Sequence, residues 1–203
     1  MKILITGFDP FGGEKLNPAY EAVKLLPDTI ATADIIKAEL PTVFGKCAKI
    51  LEGLIEKYQP NAVICVGQAG GRSGISIEKV AINFADAIIA DNENQQLTDE
   101  PIIKDGATAY FSNLPIKSMV KNIKEHGIPA NISYTAGTFV CNDIMYRLLH
   151  MIEHKYPKML GGFIHVPFDT AQTATKADGT PSMPIATIAK GLEYAIEAIN
   201  FAN

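Results

Sequence analysis

The chain has 203 residues, 47% of them hydrophobic, and a formal net charge of −4, which suits one domain with a full-sized core. Lysine and arginine form no cluster and no apolar run reaches the length of a bilayer span, so neither a nucleic-acid nor a membrane partner is expected. Cys47, Cys65 and Cys141 are odd in number and far apart, which argues against a disulfide frame or a zinc site and for reduced thiols.

The opening segment MKILITGF is too short for a secretion signal, so a cytoplasmic location is expected. Within it, residues 2–7 form a short, β-branched apolar run stopped by glycine, the pattern of a central parallel strand. The loop FDPFGGEKLNP (8–18) places two phenylalanines among glycines and prolines, where they must bury or line a pocket. A short helix, AYEAVKLL (19–26), and a second strand, ADIIKAELP (33–41), follow. Residues 42–58 read as an amphipathic helix with Val43, Cys47, Ile50, Leu51, Leu54 and Ile55 on one side. NAVICVG (61–67) repeats the pattern of the first strand.

From 75 to 112 the helical period disappears. ISIEKVAINFADAIIA and the polar DNENQQLTDEP predict extended strands joined by an exposed turn, an antiparallel excursion. A helix over about 116–125 leads to ANISYTAGTFVCNDIMY (130–146), where a short strand meets a small-residue turn and then a helix. Thr138 is the expected N-cap. Val140, Ile144, Leu148 and Ile152 recur at helical spacing, with Cys141, Met145 and Leu149 beside them. GGFIHVP (161–167) predicts another buried strand and PIATIAKGLEYAIEAI (184–199) the closing helix. The polar segment DTAQTATKADGTPSMP (169–184) is a candidate cover over a site. Strands alternating with helices predict an α/β three-layer sandwich, mostly parallel with an antiparallel extension, built as one domain over 1–203.

Cys141 falls in the first turn of its helix, where free N–H groups and the helix dipole favour a thiolate. Its partner must come from four histidines. His126 reads as a helix C-cap, while His150 and His154 share one helix face at a spacing that fits either a metal pair or a solvated face. His165 ends a short apolar strand, where open α/β sheets place their functional groups. Glu78 is set within an apolar extended run, and alternation puts it beside Val80 and Ile82; it either orients His165 or faces solvent on an edge strand. The glycine-rich loop GQAGGRSG (67–74) follows a strand but fits neither nucleotide signature, so it suits backbone donors aimed at a carbonyl as well as at an anion.

Three blocks, GFDPFGG (7–13), GQAGGRSGISIEKVAIN (67–83) and SYTAGTFVCN (133–142), together with FIHVP (163–167), resemble the pyroglutamyl-peptidase I family of cysteine peptidases from the first strand to the last helix. The resemblance implies Cys141 as nucleophile, His165 as base and Glu78 as the residue orienting the imidazole. It further implies a pyrrolidone pocket of Phe8, Phe11, Phe139 and Val140, with Asn17 and Gln68 near the ring's polar edge. Peptides beginning with pyroglutamate would be the substrates, no metal or cofactor would be needed, and the chain would form a homo-oligomer, a dimer or tetramer. One departure stands out: where the family carries an arginine followed by Ile-Pro, this chain has Ile88, Ile89 and Ala90, which implies either weakened activity or an altered substrate. The alternative is an anion- or nucleoside-binding transferase of phosphorylase-like fold, with Cys141 purely structural.

Overall fold

The structure, a computed structural model, describes residues 1–199, so the last four residues of the expected 1–203 domain lie outside the described residues. In chain order it contains β1 (Lys2–Phe8), α1 (Pro18–Leu25), β2 (Thr29–Ile30), β3 (Ala33–Leu40), α2 (Lys46–Tyr58) and β4 (Ala62–Gln68). Next come β5 (Ile75–Glu78), β6 (Val80–Ile82), β7 (Ala109–Phe111), α3 (Ile116–Glu125) and β8 (Ala130–Ser133). The chain continues through α4 (Val140–His154), β9 (Leu160–Val166), α5 (Thr170–Thr173) and α6 (Ile185–Glu197).

Seven strands form one sheet in the order β2-β3-β1-β4-β9-β5-β8. β3, β1, β4 and β9 pair in parallel; β5 runs antiparallel to β9 and parallel to β8. This is the α/β architecture expected from alternating strands and helices. Helices cover both faces, and strand parity says which side chains meet them. Ile3, Ile5, Ala62, Ile64, Val66, Ile75, Ile77, Ile164 and Val166 point into a core shared with α1, α3 and α6. Leu4, Phe8, Val63, Cys65 and Phe163 point the other way, into a core with α2 and α4. Each fully buried isoleucine or leucine in these layers contributes roughly 1.5–3 kcal/mol.

Several expectations need correction. The second helix starts at Lys46 rather than residue 42, because Gly45 takes φ 66° and the Thr42 N–H is drawn off to the Asp9 carboxylate at 2.7 Å. Ile50, expected inward, is 39% exposed.

The 75–112 excursion divides. β5 joins the main sheet, whereas β6 and β7 form a separate antiparallel pair. Lys79 is the break: its N–H donates to Ser133 O in one sheet and its carbonyl accepts from Ser112 N in the other, at 2.8 and 2.9 Å. Glu78 therefore does not share a face with Ile82, which is exposed while Glu78 is fully buried. Most of 83–108 has no regular ladder, because side chains satisfy its backbone instead. Asn83 brackets Ile103, and Asp91 collects the N–H groups of Phe44, Glu93 and Gln95.

Thr138 is not the N-cap of α4. That position is Phe139, and the Thr138 hydroxyl instead donates to Asp86 O at 2.7 Å, pinning the excursion to the turn before the helix. Finally, 169–184 contains the short helix α5, started by an Asp169–Gln172 capping box whose type was not anticipated in so polar a segment.

Candidate active site

Parity places the chemistry on one face. His165 and Gly67 are register partners on β9 and β4, each one residue before its strand ends, and both point away from the α1/α3/α6 core. Ser76 on β5 pairs with His165, so Glu78, two residues on, projects from the same face. The His165 Nδ1 lies 2.7 Å from Glu78 Oε1, and both side chains are almost wholly buried. A carboxylate on Nδ1 fixes the proton there in the neutral ring and leaves Nε2 as a free base. Burial pushes the His165 pKa below its ordinary value, outweighing the upward pull of Glu78. For Glu78 the balance is reversed: burial raises its pKa, but the hydrogen bonds and charges of its neighbours, His165 foremost, lower it overall. The site therefore holds an ionised carboxylate next to a neutral imidazole.

Cys141 enters from α4, packed over Gly67. A side chain at Gly67 would put its first carbon 2.9 Å from the Cys141 sulfur and 2.7 Å from the Phe163 ring, so only glycine leaves room for the thiol at this point of the sheet. Desolvation works against the helix N-terminus at this sulfur. Burial, aided by the Glu78 charge, pushes the Cys141 pKa up to about 12, with Arg72 pulling weakly the other way. The N-cap residue Phe139 supplies no side-chain acceptor, so the first-turn N–H groups of Val140 and Cys141 stay open to an incoming oxygen.

Around this centre, Phe8 is buried with its ring 6.4 Å from Phe163, and Phe11 sits 6.0 Å from Phe139. Val140 is fully buried. Asn17 caps α1: its Oδ1 accepts from Ala19 N and its Nδ2 donates to Asp9 O. Both ends of that amide hold backbone, which fixes the 8–17 loop. Gln68 follows Gly67 directly, and its Oε1 accepts from Gln172 Nε2 at 2.9 Å.

Four residues here escaped the sequence reading. Arg72 donates from Nη1 to Glu78 Oε1 at 2.7 Å and from Nη2 to Thr135 O at 3.1 Å. Asn142, fully buried beside the cysteine, accepts from Ile82 N and donates to the Ile82 and Phe84 carbonyls. Phe44 packs edge-on against Phe139 at 5.3 Å. Gln172 bridges Gln68 and the Glu14 carboxylate, fastening the 169–184 segment to both loops of the site. The Arg72–Glu78 spacing of six residues carries no periodic signal, but an arginine inside an otherwise small-residue loop was a readable cue.

The remaining candidates lie elsewhere. His126 ends α3 and stacks on Tyr194 at 3.7 Å; His150 and His154 pack on Tyr110. Cys47 and Cys65 are buried, and desolvation pushes the Cys65 thiol up to about 12. Ile88 is 95% exposed, so an arginine there would begin from solvent. Among the described residues, no cluster of three or more His, Cys, Asp or Glu side chains is placed to hold a metal ion.

The comparisons with known proteins agree with one another. A pyrrolidone-carboxylate peptidase of Enterococcus faecalis is 61% identical over 98% of this chain and 92% of its own length. The crystal structure of the pyroglutamyl peptidase I from Bacillus amyloliquefaciens superimposes with a TM-score of 0.95 at 48% identity, covering 98% of this chain and 94% of that one. A mutant pyrrolidone carboxyl peptidase from Pyrococcus furiosus gives 0.94 at 45% identity, covering 98% of both chains. The family model described as pyroglutamyl peptidase matches residues 1–201, and the chain belongs to that family.

Proposed function

We propose that this chain is a cysteine peptidase that releases an N-terminal pyroglutamyl residue, with Cys141, His165 and Glu78 as nucleophile, base and orienting carboxylate. The observation that carries the assignment is the buried 2.7 Å pair of His165 and Glu78 on the face where Cys141 packs over Gly67. The Cys141 thiol gives its proton to His165 Nε2 as the sulfur bonds to the pyroglutamyl carbonyl carbon, and the oxygen takes the negative charge near the Val140 and Cys141 N–H groups. The C–N bond breaks as His165 returns the proton to the leaving amine. Water, deprotonated by His165, then cleaves the thioester and releases pyroglutamate. A thiol with its pKa near 12 fits this concerted transfer better than a preformed thiolate.

The pocket reading places Phe8, Phe11, Phe139 and Val140 against the ring methylenes, with Gln68 and the Asn17 loop toward its lactam edge. Such an enclosure rejects an uncyclised glutamine, whose α-ammonium would be buried without a carboxylate, at a cost of several kcal/mol. Even ~4 kcal/mol corresponds to roughly a thousandfold in kcat/KM. Turnover of pyroglutamyl-, glutaminyl- and prolyl-aminomethylcoumarin should fall off that steeply; glutaminyl cleavage within tenfold of pyroglutamyl would sink the pocket. Cys141→Ser should keep the fold and lose the activity, and retained turnover would return Cys141 to a structural role. The whole chain is read as one catalytic domain, working in the cytoplasm as a homo-oligomer. Sedimentation tests the last point.

A further inference from the structure

Glu78 has a second partner besides the histidine, and both bond the same carboxylate oxygen. Its Oε1 accepts from His165 Nδ1 and from Arg72 Nη1, both at 2.7 Å, while the carboxylate is fully buried. The second arm of the guanidinium donates to Thr135 O, in the turn between β8 and the nucleophile helix α4. One planar group thus spans the end of β5 and the approach to Cys141. The local chain is built for it: Gly71, at φ 86°, lets the 69–72 turn close with Arg72 N on Ala69 O, and an L side chain at that φ would be strained.

Resting on the triad proposed above, we propose that Arg72 is a positioning residue of this site, its two-armed guanidinium locking the Glu78 carboxylate as the acceptor for His165 and tying it to the turn that delivers Cys141. Lysine cannot replace it, since an ammonium is a point charge without the fork that reaches both oxygens. The cation also sets the charge balance. The titratable and charged groups gathered here are Glu78 from β5, Cys141 from α4, Cys65 from β4 and Arg72 itself. The Arg72 charge favours the ionised Glu78 and the neutral His165, so its removal raises both of their pKa values.

That direction separates positioning from mere structural support. In Arg72→Gln, the acidic limb of the kcat/KM profile on a pyroglutamyl amide should move to higher pH, and kcat at neutral pH should fall roughly 10- to 100-fold, as a displaced reacting geometry does. In Arg72→Lys the limb should stay near its wild-type position, because the charge remains, while kcat falls with little change in KM, because the Thr135 anchor is lost. An unmoved limb in folded Arg72→Gln, or wild-type kcat in Arg72→Lys, overturns the proposal; if Arg72→Gln does not fold, Arg72→Lys decides alone. Cys141→Ser, run in parallel, keeps the two readings apart. An active Cys141→Ser overturns the triad, whereas an inactive one beside an unmoved Arg72→Gln profile overturns only the role of Arg72.

Discussion

The half-buried Cys141 thiol, with the Glu78 carboxylate in range, resists ionisation. The helix start argues for a thiolate, while desolvation over Gly67 and the Glu78 charge pull the other way. Alkylation by iodoacetamide, which needs the thiolate and has no substrate to organise the transfer, should therefore be slow at neutral pH and still rising at pH 10. A rate that levels off by pH 7 would mean a preformed thiolate–imidazolium pair. Ile88 stands out in solvent. At 95% exposure, an arginine placed there is a screened surface charge, so Ile88→Arg should raise kcat/KM on pyroglutamyl amides by less than about tenfold, or ~1.4 kcal/mol. A hundredfold gain would show that the segment folds inward over bound substrate and that the departure is a true catalytic loss.

At the scale of elements, the ones that announce themselves are those whose apolar period survives into the fold. α3 lies at the predicted 116–125, and β4 and β9 match their apolar runs to within a residue. His165 was legible for the same reason, since a strand end in a parallel sheet is a recognisable place. The 83–108 segment was not legible, because its order comes from single side chains reaching across long separations. Asn142 is the clearest: the sequence shows only a polar residue after a cysteine, yet it makes three hydrogen bonds to residues some 60 positions earlier. Truncating it leaves buried N–H and C=O groups without partners, so Asn142→Ala should destabilise the fold by ~2–4 kcal/mol. For a chain of this size that is a fall in Tm of about 5–15 °C. An unchanged Tm would mean that β6 and the following loop are held by packing alone. The break at Lys79 was hidden similarly, because alternation continues through it in sequence while the backbone changes sheets.

For the whole molecule, the ionisable groups buried on one sheet face make folding stability a function of pH on both sides. The folded His165 pKa lies below the ordinary imidazole value of 6.5. As pH falls through 6.5 the unfolded chain takes up a proton that the native site refuses, and stability drops. Glu78 acts in the same direction lower down. Its folded pKa lies below 4.5, so its contribution is complete above 4.5 and is lost as pH falls through the folded value. On the alkaline side the thiols take over. Cys65 is raised from 9.0 to about 12, so its stabilisation is whole below 9 and drains away as pH climbs toward 12. At pH 10, one unit past the unfolded value, that loss is ~1.4 kcal/mol for Cys65 alone, or about 3–5 °C in Tm. The Tm should thus form a plateau between about pH 6.5 and 9, falling on either side. In Glu78→Gln the acid-side fall below pH 4.5 should be smaller, because the group that must be protonated is gone. Calorimetry from pH 2 to 10 on the unaltered protein and Glu78→Gln reads this directly: a Tm that peaks at pH 5, or stays flat to pH 10, is incompatible with a neutral His165 and protonated thiols buried in the native sheet.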